Sequence, residues 1–156
     1  VQRRYFRQVI YEAKRRLLTM SGHQFMLKLK ETENSGRKSN EGLDLSVYSL
    51  VTDSERDIRT LSGGESFLAA LAMALGLSDI AIRKAGAVHL DMMFIDEGFG
   101  TLDAQSRKQA IEVLSQLAGS ERLVGIISHV TELKEQIEHR LYVTRTENGS
   151  EAVWEE

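Results

Sequence analysis

The chain has 156 residues, a length for one domain, and 42% of them are apolar, which supports a sound core. A net charge of −3 gives no sign of a nucleic-acid binder, and no apolar run approaches the roughly 18 residues of a membrane span. The lack of cysteine excludes disulfides and thiolate metal sites and fits a reducing, cytoplasmic setting, while the lack of proline suits a chain rich in helices and strands.

Residues 1–20 place Phe6, Val9, Ile10, Ala13 and Leu17 at helical spacing. Arg3, Arg4, Arg7, Lys14, Arg15 and Arg16 crowd the same segment, opposed only by Glu12. It has no continuous apolar stretch, so it is not a signal peptide. The chain opens on Val1 rather than Met and enters helical periodicity at once, so a piece of a longer protein is expected. Ser21 and Gly22 end the helix. Residues 24–30 and 43–50 alternate as strands around a polar, turn-rich segment at 31–42, which predicts a hairpin with a long mobile loop. Residues 67–78 carry no charge, the pattern of a helix buried on all sides. Short apolar runs at 90–95 and 123–127 predict buried strands. Between them, residues 104–118 form an amphipathic helix closed by Gly119. A short helix is expected over 130–138. Strands at 140–145 and 151–154 flank Asn148-Gly149, a strong hairpin turn signal. Buried strands alternating with helices imply parallel pairing and an α/β fold.

The chemistry sits in three places. The strand at 90–95 runs into Asp96-Glu97, so two carboxylates stand at the carboxyl end of a parallel sheet, where ligands bind in open α/β folds. Asp96 is a candidate Mg²⁺ ligand and Glu97 a candidate base for an attacking water. The bland alternative is a solvated acidic pair. Leu61-Ser62-Gly63-Gly64-Glu65 opens the buried helix. Glycines let an anion approach the backbone, helix-start N–H groups favour phosphate, and Ser62 adds a donor. Ser62 and Glu65 also have the spacing of a capping box, and both readings can hold. Asp103 is read as the N-cap of the helix after it. His129 follows the strand at 123–127; a lone histidine there is more often structural, but adjacent parallel strands would bring it near Asp96-Glu97 and a γ-phosphate. No Gly-x-x-x-x-Gly-Lys-[Ser/Thr] phosphate loop occurs anywhere in the chain.

Together, the segments Leu61-Ser62-Gly63-Gly64-Glu65-Ser66-Phe67, Asp96-Glu97-Gly98-Phe99-Gly100-Thr101-Leu102-Asp103 and Ile127-Ser128-His129 resemble the C-terminal ATPase lobe of the SbcC family. These are SMC-related ATPases of bacterial DNA double-strand-break nucleases. The resemblance spans about residues 1–150, and Gly98-Phe99-Gly100 is its discriminating piece. It implies the C-terminal half of an ABC-type ATPase head, with a parallel-sheet core, flanking helices and an N-terminal β-hairpin. Residues 1–20 would be a coiled-coil root helix and 21–156 the lobe. It further implies ATP and Mg²⁺ between two heads. Asp96 is then the metal ligand, Glu97 the base and His129 the switch histidine. Ser62, Gly63 and Gly64 contact ATP on the opposite head, and Asp103 lies in the loop communicating across the dimer. The implied partners are an N-terminal lobe carrying the phosphate loop, a second head, an SbcD-type nuclease and DNA, with no membrane. A chromosome-organising SMC-type lobe and a transporter ATPase fragment are the alternatives. The basic first helix reads equally as a phosphate-tracking surface and as a solvated face.

Overall fold

The computed structural model describes residues 2–30, 45–85, 92–118, 123–147 and 149–155. The first helix, α1 (Gln2–Met20), forms as its periodicity predicts. Val9, Ile10, Ala13, Leu17 and Met20 lie on one buried face. Each large side chain there contributes roughly 1.5–3 kcal/mol on leaving water. That face packs along α2 (Gly63–Ala85), the long central helix. Gly76 makes the crossing close: a Cβ there would lie 2.8 Å from the Val9 carbonyl oxygen and 3.0 Å from the Ala13 nitrogen. Ion pairs flank the contact, Arg16 with Asp79 and Arg83 with the buried Glu12 at 2.8 Å.

Strands β1 (Phe25–Leu29) and β2 (Leu45–Ser49) pair antiparallel, Phe25 opposite Ser49, so the predicted hairpin partners meet. Its expected loop at 31–42 lies outside the described residues. A third strand, β3 (Ser54–Asp57), adds to β2 and was not expected. Its sequence, Ser54-Glu55-Arg56-Asp57, has no apolar residue to signal a strand. Polar side chains hold it instead: Ser46 donates to Glu55, while Lys28 and Lys30 pair with Glu55 and Asp57 at 3.5 and 3.0 Å.

Strands β4 (Met92–Asp96) and β5 (Leu123–Ile127) pair in parallel, Asp96 opposite Ile127, as the alternation of elements predicts. Helix α3 (Ala104–Ala118) connects them and buries Ala110, Ile111, Val113 and Leu114. The expected Gly119 cap falls outside the described residues. The expectation of fully buried strands is corrected. Ile95 is buried, but Met92 and Phe94 are 57% and 65% exposed, and Leu123 and Ile127 are each 55% exposed. One side of the pair rests on the core and the other is bare. The helix predicted to be buried on all sides is likewise open along Ala70, Ala74 and Leu77. Both departures share a cause: the described residues supply no second layer for these surfaces. An open apolar groove of about 460 Å³ runs between them, lined by Ala74, Leu77, Ala81, Met92, Met93 and Leu117 among others.

Residues 63–83 are long and apolar enough to cross a membrane, which the expectation of no span-length segment had not allowed for. Half of that stretch is buried within the fold. In place of the short helix expected at 130–138 there is one 3₁₀ turn, Thr131–Leu133. Leu133 is its only buried side chain. Four charged residues fall among 132–138, and Val130 and Ile137 are only partly buried against the core, too little to sustain a longer helix. Strands β6 (Arg140–Thr146) and β7 (Gly149–Glu155) form the predicted final hairpin. Gly149 adopts φ +135°, which suits glycine; Asn148 is not among the described residues.

Candidate functional site

Parallel pairing places the carboxyl ends of β4 and β5 side by side. The chain leaves β4 through two consecutive positive-φ residues, Glu97 at +58° and Gly98 at +93°. For glycine this costs little. For glutamate it is a left-handed conformation that surrounding structure must hold, at a cost of order 1–3 kcal/mol. Part of the hold is the Glu97 N–H, which donates to the Ile127 carbonyl at 2.9 Å and extends the β4–β5 ladder by one bond. The turn aims the Glu97 carboxylate at His129, whose Nδ1 lies 2.9 Å from Oε2 and 3.1 Å from Oε1. A carboxylate only accepts, so Nδ1 is the protonated, donating nitrogen and Nε2 is left facing other partners. The two side chains stay 50% and 81% exposed, so a ligand can reach both.

Asp96 is exposed on the bare side of the sheet, with no hydrogen-bond or ion-pair partner among the described residues. No group of three His, Asp or Glu side chains that could hold a metal occurs among those residues either. One free carboxylate suits Mg²⁺, which keeps several waters and takes one or two carboxylates plus phosphate oxygens. It does not suit an ion needing an all-protein cage.

The second cluster is the start of α2. Glu65 N–H donates to Ser62 Oγ at 3.3 Å, and Ser62 N–H donates to Glu65 Oε2 at 2.8 Å. The capping box is therefore formed in full. Because Ser62 Oγ accepts in it, its own proton remains available to an outside acceptor. Arg56 pairs with the same Glu65 carboxylate. Burial raises the Glu65 pKa, but the Ser62 N–H and the Arg56 guanidinium outweigh it, so the net shift is downward. Gly63 and Gly64 differ. A Cβ on Gly64 would sit 2.7 Å from the Thr101 carbonyl oxygen, whereas one on Gly63 meets only ordinary contacts at 3.8 Å. Packing of α2 against the 3₁₀ turn Phe99–Thr101 thus accounts for glycine at 64 and leaves glycine at 63 open toward solvent.

Asp103 caps α3. Its Oδ1 accepts from the Ser106 N–H at 2.9 Å and its Oδ2 from the Ser106 hydroxyl at 2.7 Å. The Ser106 N–H, then its hydroxyl, hold the carboxyl below the usual range. The structure therefore brings Asp96, Glu97 and His129 to one sheet edge. It places Asp103 two residues beyond Thr101, the residue against which Gly64 packs. Sequence reasoning missed the Phe67–Phe99 pair, whose rings meet edge-on with centroids 5.0 Å apart. It also missed the Arg56–Glu65 pair, since nothing in the pattern marks 56 as the neighbour of a helix start.

A family model described as "SbcC/RAD50-like, Walker B motif" matches residues 28–116, more than half of the chain. The SbcC subunit of the SbcCD nuclease from Vibrio cholerae is 51% identical over 142 residues, covering 91% of this chain and 14% of that protein. Its namesake in Staphylococcus epidermidis is 45% identical over 146 residues, covering 94% and 14%. The chain thus spans 14% of the length of these relatives. Among solved structures, one from work on ATP-driven dimerization and DNA-stimulated activation of SMC ATPases aligns with a TM-score of 0.77 at 15% identity, covering 98% of this chain and 86% of that one. The Smc head domain of Pyrococcus furiosus, with an extended coiled coil and the C-terminal domain of ScpA, aligns at 0.70 and 18% identity, covering 96% and 35%. At these identities the structural likeness establishes the fold alone, the one these head domains adopt.

Proposed function

The chain belongs to the SbcC/RAD50-like family, and we propose that it is the C-terminal half of an SbcC-like ATPase head that hydrolyses ATP between two heads to gate a DNA-end-processing nuclease. Residues 1–20 would be the coiled-coil root and 21–156 the lobe. The observation that carries the reading is the meeting of Glu97 and His129 at the sheet edge, one residue past the unpartnered Asp96.

Each residue has a role in this reading. Asp96 holds Mg²⁺, which when bound neutralises phosphate charge. Glu97 takes the proton of the attacking water, help worth roughly 10²–10⁴ in rate. His129 orients the Glu97 carboxylate through Nδ1 and stands within reach of the γ-phosphate. Ser62, through its uncommitted hydroxyl proton, and Gly63 and Gly64, through helix-start N–H groups, donate to phosphate held by the opposite head. Asp103 fixes the start of α3 and the loop facing that head. The N-terminal lobe of the same protein supplies the phosphate loop and covers the bare side of β4–β5 and the open stripe of α2. The remaining partners are a second copy, an SbcD-type nuclease and DNA, in the cytoplasm and without a membrane. Identities of 45–51% to nuclease subunits, against 15–18% to SMC heads, favour this over a chromosome-organising role.

Titration of this chain with Mg-ATP tests the division of labour. No micromolar binding and no turnover are expected until the phosphate-loop lobe is co-expressed with it to form the assembled head. In that head, Glu97→Gln should lower turnover about 10²–10⁴-fold with nucleotide binding kept. Turnover by the lone chain well above background, or full turnover by the Glu97→Gln head, contradicts the reading.

A further inference from the structure

We propose that Phe67 is a positioning residue for Glu97, holding the carboxylate in place by clamping the left-handed turn after β4. The inference rests on the proposed role of Glu97 as base. Phe67 lies on α2, close behind the Ser62–Gly64 start. Its ring lies directly over Gly98: a Cβ there would be 2.2 Å from Phe67 Cδ2 and Cε2. The ring also meets the fully buried Phe99 edge-on at 5.0 Å. The Thr101 hydroxyl donates to the Gly98 carbonyl at 2.7 Å, which closes the turn with a hydrogen bond. Gly98 is thereby held by an aromatic ring and a hydrogen bond. Glu97, next to it, is the residue whose positive φ needs an external hold. Its own backbone has one such hold, the N–H bond to Ile127, and its neighbour is fixed by Phe67. The ring also makes the start of α2 and the base one mechanical unit, because a shift of α2 carries the ring and the ring carries Gly98.

The test uses the assembled head. In Phe67→Leu, amide hydrogen exchange without nucleotide should lose protection at the Glu97 N–H while Phe94, Ile95 and the interior amides of α2 keep theirs. The same head should lose about 10–100-fold in kcat with KM for ATP unchanged, the scale expected for a displaced catalytic group. Phe67→Tyr, which retains the ring, should keep both. Unchanged protection at Glu97 with unchanged kcat overturns the proposal. So does loss of protection spread evenly over β4 and α2, which would mean that the ring merely fills the core. Failure of the underlying reading looks different: Glu97→Gln would then leave turnover intact even where Phe67→Leu frees the Glu97 amide.

Discussion

Two adjacent glycines at the start of α2 carry different loads. Gly64 faces the Thr101 carbonyl at a distance no side chain tolerates, so Gly64→Ala forces helix and turn apart. The expected loss is about 1–3 kcal/mol of stability, read as a lower melting temperature. Gly63→Ala meets only ordinary contacts and should leave melting within about 0.5 kcal/mol of the parent. If both substitutions destabilise equally, the packing assignment is wrong. The contrast also marks what the sequence makes legible at this scale. That Asp96, Glu97 and His129 meet at one sheet edge could be read in advance, because strand ends and parallel pairing fix where such residues go. Ser62 could be given two readings, and the structure forms the capping box without using up its hydroxyl proton. The clamp by Phe67 was not legible: an aromatic on an uncharged helix reads as core, and only the fold shows its ring lying on Gly98. The left-handed Glu97 was equally hidden, since glutamate carries no preference for that conformation.

Among the described elements, α1 and α2 share the most extensive contact, and Gly76 lets them approach closely. Glycine in a helix interior costs about 1 kcal/mol relative to alanine. Here it lets the α1 backbone approach until a Cβ would contact the Val9 carbonyl at 2.8 Å. Gly76→Ala therefore gains about 1 kcal/mol of propensity and loses more through overpacking. A net destabilisation of about 1–2 kcal/mol in chemical denaturation is expected; a stabilised variant would mean that the helices separate freely. This packing could not be read from the sequence, where Gly76 is one small residue in an apolar run. The helices themselves could be, because α1 and α3 follow a 3.6-residue period and face the core as that period demands. β3 was illegible because cross-strand polar contacts hold it and hydrophobic alternation plays no part. The 130–138 segment forms one 3₁₀ turn in place of a helix, with Leu133 its one buried side chain among four charged residues.

At the scale of the whole molecule, the bare side of β4–β5 and the open stripe of α2 explain why two strands and a helix that read as buried are half exposed. A contiguous apolar face of this kind marks an interaction surface. With the phosphate-loop lobe seated there, Asp96, Glu97 and His129 would serve the head's own nucleotide. The start of α2 would face the nucleotide of a second head. The most direct test of this composite site is ATP-driven dimerisation of the assembled head, followed by light scattering. Glu97→Gln heads, able to bind ATP but not hydrolyse it, should pair on Mg-ATP and stay paired. Ser62→Arg heads, with bulk and charge where phosphate must approach, should bind ATP and remain monomeric. If Ser62→Arg heads bind ATP and pair as well as the unsubstituted protein, the start of α2 is only a helix cap and the two-head account is contradicted.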